Sequence, residues 1–412
     1  MTSTGIAAIA AAAAFMIYAF WVLGKPSISP LVDEETAGLL RGGLPEGSLG
    51  GNKIETFPGF DPMVESMITD IAGARHHVHI LFFKFEDDPV GRRFVELLSQ
   101  KVKEGVEIRL MYDDGANLKR RKFFRQMQDA GIETLGFNLL HLPFPSKYNN
   151  YRNHRKIVVV DGRVAYIGGM NIAERYGKGL FWGCWRDTQI RIEGPAAAQS
   201  QLAFAMDWAH EGGKLLTGPE YYPLLPEAGN SAVETLCAGP IGDGPVIMER
   251  ICSLIDSCSK RVWIESPYLI PTKEIKRSLF AAARRGVDVR IILPPRGDRG
   301  VFTPLATKSY VAEFLAAGVK IAEYQDGYMH SKMHIFDDRL VSQGSTNIDV
   351  RSYIIDEEIN VFIDDHDYNR QMQELFLTDE SRSVYIKPAE WARRPVLQRI
   401  GEAISRIPSF QL

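Results

Sequence analysis

The sequence predicts an α/β protein of two repeats, each a mixed β-sheet flanked by helices, packed about a pseudo-two-fold axis behind an N-terminal transmembrane helix. Three observations carry this reading. An uncharged apolar run fills residues 5–24, one order of helix and strand patterns is written twice after it, and both copies end in a hairpin with the same spaced polar residues. At 412 residues the chain can bury two cores. Its net charge of −3 speaks against an enzyme of nucleic acid, because proteins that neutralise many phosphates usually carry a basic excess. Cys184, Cys237, Cys252 and Cys258 have no paired metal spacing and read as free thiols.

The first element is the run GIAAIAAAAAFMIYAFWVLG from Gly5 to Gly24. Such a helix rises about 30 Å, the thickness of a bilayer's hydrocarbon core. It has no basic segment before it and no small-x-small cleavage site, so an uncleaved single-pass anchor over 1–25 is expected rather than a signal peptide. Lys25 and Arg41 follow the run and nothing basic precedes it. By the positive-inside tendency, that puts the body of the protein on the cytoplasmic side of the cell membrane. A polar, Gly-rich tether is expected over 26–52.

The first repeat, over 53–215, starts with a helix from Met63 to Ala74 and the strand VHILFFKFED from Val78. A second helix, the strand VEIRLMYDD after Gly105, a helix ending at Ala130-Gly131 and a hairpin at Asp161-Gly162 follow. The second repeat, over 216–390, returns the order. It runs through a helix near Val246–Cys258, the strand VWIESPYLIP from Val262, VDVRIILPP after Gly286, a helix ending at Ala317-Gly318 and a hairpin at Asp337-Asp338. EGVEIRLMYDD against RGVDVRIILPP is the plainest match. Helices alternating with β-rich runs imply α/β layers. Residues 391–412 form a last, amphipathic helix.

The candidate chemistry sits on the hairpins. The first carries His154-Arg155-Lys156, then Asp161, then Gly168-Gly169-Met170-Asn171; the second carries His330-Ser331-Lys332, Asp337 and Gly344-Ser345-Thr346-Asn347 at the same intervals. Residues two apart on a strand share a face, so each His and Lys project together. A hairpin return is expected to bring residue 169 beside 154, and 345 beside 330. Displacement at a phosphodiester needs a nucleophile, a proton donor and charge stabilisation. One histidine can attack while the other is the acid. Lys156, Lys332, Asn171 and Asn347 can clamp the nonbridging oxygens. No cofactor or metal is called for. Asp161 and Asp337 belong to the same catalytic motif, although an aspartate at a hairpin turn commonly caps backbone amides, and that structural role is favoured. His334 shares the face of His330, but its counterpart is Val158, so it reads as a packing residue. The run His76-His77-Val78-His79 lacks carboxylate or cysteine company and reads as structural or surface histidines.

The motifs resemble the phospholipase D superfamily, whose signature is H-x-K-x4-D-x6-G-S-x-x-N in duplicate, and more narrowly its bacterial cardiolipin synthases. NYRNHRKIVVVDG, YIGGMNI, WRDTQIRIEGPA, SPYLIP, YMHSKMHIFD, GSTNIDVRS and the ending WARRPVLQRIGEAISRIP carry the likeness. It implies phospholipase D-like repeats, with His154 as nucleophile and His330 as the acid that then becomes the base. It also implies that Asp187 and Glu358 orient the two rings. The implied reaction joins two phosphatidylglycerol molecules into cardiolipin with release of glycerol; a hydrolase or another phosphatidyltransferase of the superfamily would share every catalytic residue. Two departures stand out: the chain has one N-terminal apolar segment where relatives commonly have two, and Gly169 replaces the motif serine. The aromatic stretch with Leu180, Phe181 and Trp182 can touch a membrane or pack. The last helix, with Val396, Leu397, Ile400, Ile404 and Ile407 between Arg399 and Arg406, can lie on an anionic bilayer or dock on the protein's own core.

Overall fold

The computed structural model of the chain describes residues 32–41, 46–139, 147–242, 244–297, 302–407 and 409. The expected anchor lies outside them; among the described residues no helix is long and apolar enough to cross a membrane.

The first repeat supplies β1 (Leu49–Phe57), β2 (His77–Phe82), β3 (Glu107–Asp113), β4 (Glu133–Phe137), β5 (Lys156–Val160), β6 (Val164–Gly168), β7 (Cys184–Arg186) and β8 (Gln189–Glu193). The second supplies β9 (Ser231–Ala238), β10 (Arg261–Glu265), β11 (Asp288–Leu293), β12 (Lys320–Tyr324), β13 (Gly327–Met329), β14 (Met333–Phe336), β15 (Leu340–Gly344), β16 (Glu358–Asp364) and β17 (Ser383–Tyr385). All but β7 and β13 join one sheet, in the order β17-β12-β11-β10-β14-β15-β16-β9-β1-β8-β6-β5-β2-β3-β4. Outward from its middle, β9-β16-β15-β14-β10-β11-β12 mirrors β1-β8-β6-β5-β2-β3-β4. The pairing senses agree, with β2 parallel to β3 and β10 to β11, and with β2 antiparallel to β5 and β10 to β14. The seam is β1 antiparallel to β9, with Asn52 opposite Ser231. Equivalent strands paired this way place the pseudo-two-fold axis between them, so the two expected sheets are one.

Apolar runs make the strands, and all six residues of β2 are buried because helices cover both of its faces. Gly105 and Gly286, at φ +90° and +87°, end matching helices in the left-handed conformation that glycine adopts without penalty, which explains why the two strands after them align. One core is shared: Phe204 and Trp208 from helix Ala197–His210 meet Tyr368, Met372 and Phe376 from helix His366–Ser381 across the central strands. Separate cores close the opposite face of each repeat.

The expected tether is structured where it is described. Glu34–Arg41 is a helix that buries Leu40, and β1 begins at Leu49, inside the stretch read as linker. Gly50, Gly51 and Asn52 hide the strand pattern. What holds the segment is pairing to two neighbours and the buried Asn52, whose amide donates to Ser231 O at 3.1 Å and whose carbonyl accepts from Ala196 N–H at 2.8 Å.

Candidate active site

His154 and His330 lie two and three residues ahead of β5 and β14, where the chain leaves a contact with the opposite repeat. Asn153 bridges to Glu357, and β13 pairs with β7. His154 N–H donates to Glu357 O at 2.8 Å and His330 N–H donates to Arg186 O at 2.7 Å. The residue after each acceptor is a carboxylate. Glu358 therefore meets His154, with Oε1 and Oε2 at 3.0 and 3.2 Å from Nδ1, and Asp187 meets His330, with Oδ2 at 2.6 Å from Nδ1. Each imidazole is held by a carboxylate from the other repeat.

Lys156 and Lys332 fold back so that each ammonium donates to the carbonyl of the histidine two residues before it. The charge of Lys332 reaches His154 and that of Lys156 reaches His330, so the two halves form one site. Burial pushes His154 down to about 4, helped by Lys156 and opposed by Glu358. Burial likewise pushes His330 down to about 3, again with the lysine beside it. Burial and Lys332 lower Lys156 to about 7, against Glu358 and Asp187. Burial would raise the two carboxyls, but Lys332 and His330 hold Asp187 below its usual range, and His154 and Lys156 do the same for Glu358. At neutral pH the site is thus two neutral imidazoles against two carboxylates. Apolar rings border both. Phe83 packs edge-on against His154 with centroids 4.9 Å apart, and Trp185 lies 5.0 Å from His330.

Asn171 and Asn347 are both buried. The amide of Asn171 accepts from Lys84 N–H at 3.0 Å and donates to Tyr176 Oη at 2.7 Å. Asn347 donates to Ser352 Oγ at 3.2 Å, while its buried Oδ1 has no hydrogen-bond partner among the described residues.

Two expectations change. The hairpin registers put 169 opposite 155, and 345 opposite 331, by extension of Ile157↔Ile167 and Met333↔Gln343, one residue off the expected alignment. Gly169 and Ser345 therefore lie against the carboxylates: a Cβ on Gly169 would meet Asp187 Oδ1 at 2.2 Å, and the Ser345 hydroxyl donates to Glu358. Asp161 and Asp337 stand apart from the site at the far ends of the hairpins, so their place among the catalytic residues is corrected. Asp161 accepts the N–H groups of Arg75, His76 and His77 at 2.8–2.9 Å, and Asp337 those of Ser259, Lys260 and Arg261 at 2.8–3.0 Å. In the histidine run, His77 and His79 are buried core residues: His79 stacks on Phe204 at 4.7 Å and its Nδ1 meets Gln201 Oε1 at 2.9 Å. His334 is buried as expected, stacked on Phe336.

Sequence reasoning missed the buried guanidinium groups behind the carboxylates. Arg155 donates to Asp207, to Glu357 at 2.8 Å and to Glu358 O at 3.0 Å. Arg186 donates to Asp379 at 2.8 Å and to Asp187 O at 2.8 Å. The available signal was an arginine directly beside a motif residue, Arg155 between His154 and Lys156 and Arg186 before Asp187.

A family model described as "Cardiolipin synthase, PLD-like domain" matches residues 67–208 and 251–379. The cardiolipin synthase of Geobacillus kaustophilus (strain HTA426) is 36% identical over 348 residues, which cover 84% of this chain and 69% of that protein. The cardiolipin synthase of Geobacillus sp. (strain WCH70) is 37% identical over 350 residues, with the same coverage of 84% and 69%. Among solved structures, the phosphatidylserine synthase of Haemophilus influenzae Rd KW20 shares the fold at a TM-score of 0.67 and 13% identity, over 91% of this chain and 100% of that one.

Proposed function

The chain belongs to the cardiolipin synthase family with phospholipase D-like domains, and from that membership we propose that it moves a phosphatidyl group between two phosphatidylglycerol molecules through a phosphohistidine. The observation that carries this reading is the crossed pairing of His154 with Glu358 and His330 with Asp187. With Nδ1–H of His154 donated to Glu358, the lone pair rests on Nε2, the nitrogen that attacks phosphorus. A P–N bond forms, the P–O bond to glycerol breaks, and His330 delivers a proton to the leaving oxygen. The anionic phosphodiester raises the proton affinity of His330 as it arrives. His330 then takes the proton from the terminal hydroxyl of a second phosphatidylglycerol, whose oxygen displaces His154 to give cardiolipin. Lys156, Lys332, Asn171 and Asn347 hold the nonbridging oxygens through both displacements. One phosphodiester replaces another, so no nucleotide and no cofactor takes part.

Assignment of His154 as the nucleophile follows the family pattern; the two carboxylates differ in their second donor, the Ser345 hydroxyl on Glu358 and the Thr188 N–H at 2.8 Å on Asp187. The apolar run over 5–24 supports a single-pass anchor in the cell membrane, and Lys25 and Arg41 after it support a body on the cytoplasmic side. Its acidic total speaks against a nucleic-acid substrate.

Product identity tests the reading. The purified chain with phosphatidylglycerol as the only lipid is expected to release cardiolipin and glycerol in equal amounts; phosphatidic acid in place of cardiolipin would make it a hydrolase. His154→Ala is expected to lower turnover at least about 10³-fold, because nothing else can form the covalent bond. Retention of a tenth of wild-type turnover would remove His154 from that role.

A further inference from the structure

The helix Val396–Arg406 is packed with its polar side inward. It lies on helix Phe302–Ala316, where Arg406 donates to Ser309 O at 3.1 Å and pairs with Glu313 at 2.6 Å, and Gly401 fits against Leu305. Glu402 and Ser405 are 2% and 1% exposed, and Glu402 accepts from Arg394 at 2.8 Å and Gln398 at 2.9 Å. Leu397 and Ile407 are 82% and 75% exposed, and Val396, Ile400 and Ile404 share their side. A helix that merely docks on a globular core turns such a stripe inward. Here it faces out.

We infer that this outward stripe docks on an anionic lipid bilayer and holds the mouth of the site against it, which rests on the reading of the substrate as a membrane phospholipid. Charge selects the occupant. Arg399 on this helix and Arg393 in the turn just before it are exposed, the pattern of an interfacial helix on anionic headgroups. In a two-fold pair of identical helices, the same arginines would face each other. The helix that carries the stripe packs on one whose start lies toward the catalytic residues. Phe302, exposed at the start of the supporting helix, leads to a cleft lined by Pro304, Lys308, Tyr268 and Arg296. Arg296 lies over the ring of Trp182, 5.9 Å from its centroid, and its neighbour Phe181 is 98% exposed. Trp185 of the same segment packs on His330. Lipid drawn from a bilayer touching the stripe and Phe181 would reach His330 without crossing open water.

The test uses the full chain, in a Cys184→Ser background, reconstituted in vesicles containing phosphatidylglycerol. Nitroxide labels go on Leu397→Cys, Ile404→Cys and, as a control, the exposed Arg370→Cys. At 397 and 404, collision with oxygen is expected to exceed collision with a water-soluble nickel complex at least about tenfold relative to 370, since apolar depth favours oxygen and excludes the chelate. Equal nickel access at all three positions, or shielding from both reagents as in a protein–protein contact, would overturn the inference. In a second arm, Leu397→Asp with Ile404→Asp is expected to slow turnover on vesicles at least about tenfold while staying within about twofold on monomeric short-chain phosphatidylglycerol. Equal loss on both substrates would also overturn it. Failure of the substrate reading looks different: wild-type chain would make no cardiolipin in either format, with the stripe labels still in the bilayer.

Discussion

Gly169 and Ser345 occupy matching positions, and one hydroxyl separates the surroundings of their carboxylates. A side chain at 169 would displace Asp187 from His330, given the 2.2 Å approach of a Cβ to its Oδ1. Gly169→Ser is therefore expected to lower kcat about 10²-fold with the fold intact, checked by turnover and far-ultraviolet circular dichroism. Ser345→Ala, which only removes a donor to Glu358, is expected to cost about tenfold. His334 separates motif from bystander. It is buried with Nδ1 unpartnered among the described residues, and burial alone pushes it down to about 4. In the unfolded chain it titrates near 6.5, so its folded value is depressed. Its contribution to stability is whole above pH 6.5 and is lost as pH falls toward 4. His334→Val, which restores the residue of the first repeat, is expected to keep catalysis within about threefold and to gain stability over wild type as pH drops through that window. Denaturant midpoints at pH 7.5 and 5 measure it. The spacing of the motifs made all these positions legible. That each serine or glycine serves the histidine of the other repeat was not, because Glu358 stands 204 positions from His154 and no local pattern records the contact.

The hairpins were readable from their apolar runs and Asp turns, and the strands begin within a residue of expectation, although β2 and β10 end at Phe82 and Glu265, well short of the runs VHILFFKFED and VWIESPYLIP. Asp161 and Asp337 have φ of +52° and +48°, a conformation aspartate tolerates better than most residues, and each accepts three backbone amides. Asp161→Ala is expected to cost about 1–3 kcal/mol, read as a lower denaturant midpoint at unchanged slope, while turnover per folded molecule holds. A large fall in kcat at full folding would return the residue to the chemistry. β1 was not readable. Its two glycines and buried asparagine break the alternation that reveals a strand, and its stability comes from β8 and β9, strands more than a hundred residues away. The C-terminal helix was readable as amphipathic, but not in its orientation, which depends on Glu313 and Leu305 of another helix.

Across the whole molecule, the duplication led to an expectation of two sheets, and the seam between β1 and β9 makes them one. Residues of both repeats also share a core. The described body is therefore expected to melt in a single calorimetric transition, with equal van't Hoff and calorimetric enthalpies; two resolved transitions would show that the repeats fold independently. Asn52→Ala, which removes four hydrogen bonds at or beside the seam, is expected to lower that one transition rather than split it.

The crossed carboxylates have a consequence for damage and repair. A chain severed between the repeats would yield two fragments, each with an imidazole and no counter-ion for it, so neither could be a slow enzyme in its own right. Mixed together, the fragments could recover turnover only by rebuilding the join. A lesion at Asp187 would be felt first at a histidine encoded in the other half of the gene.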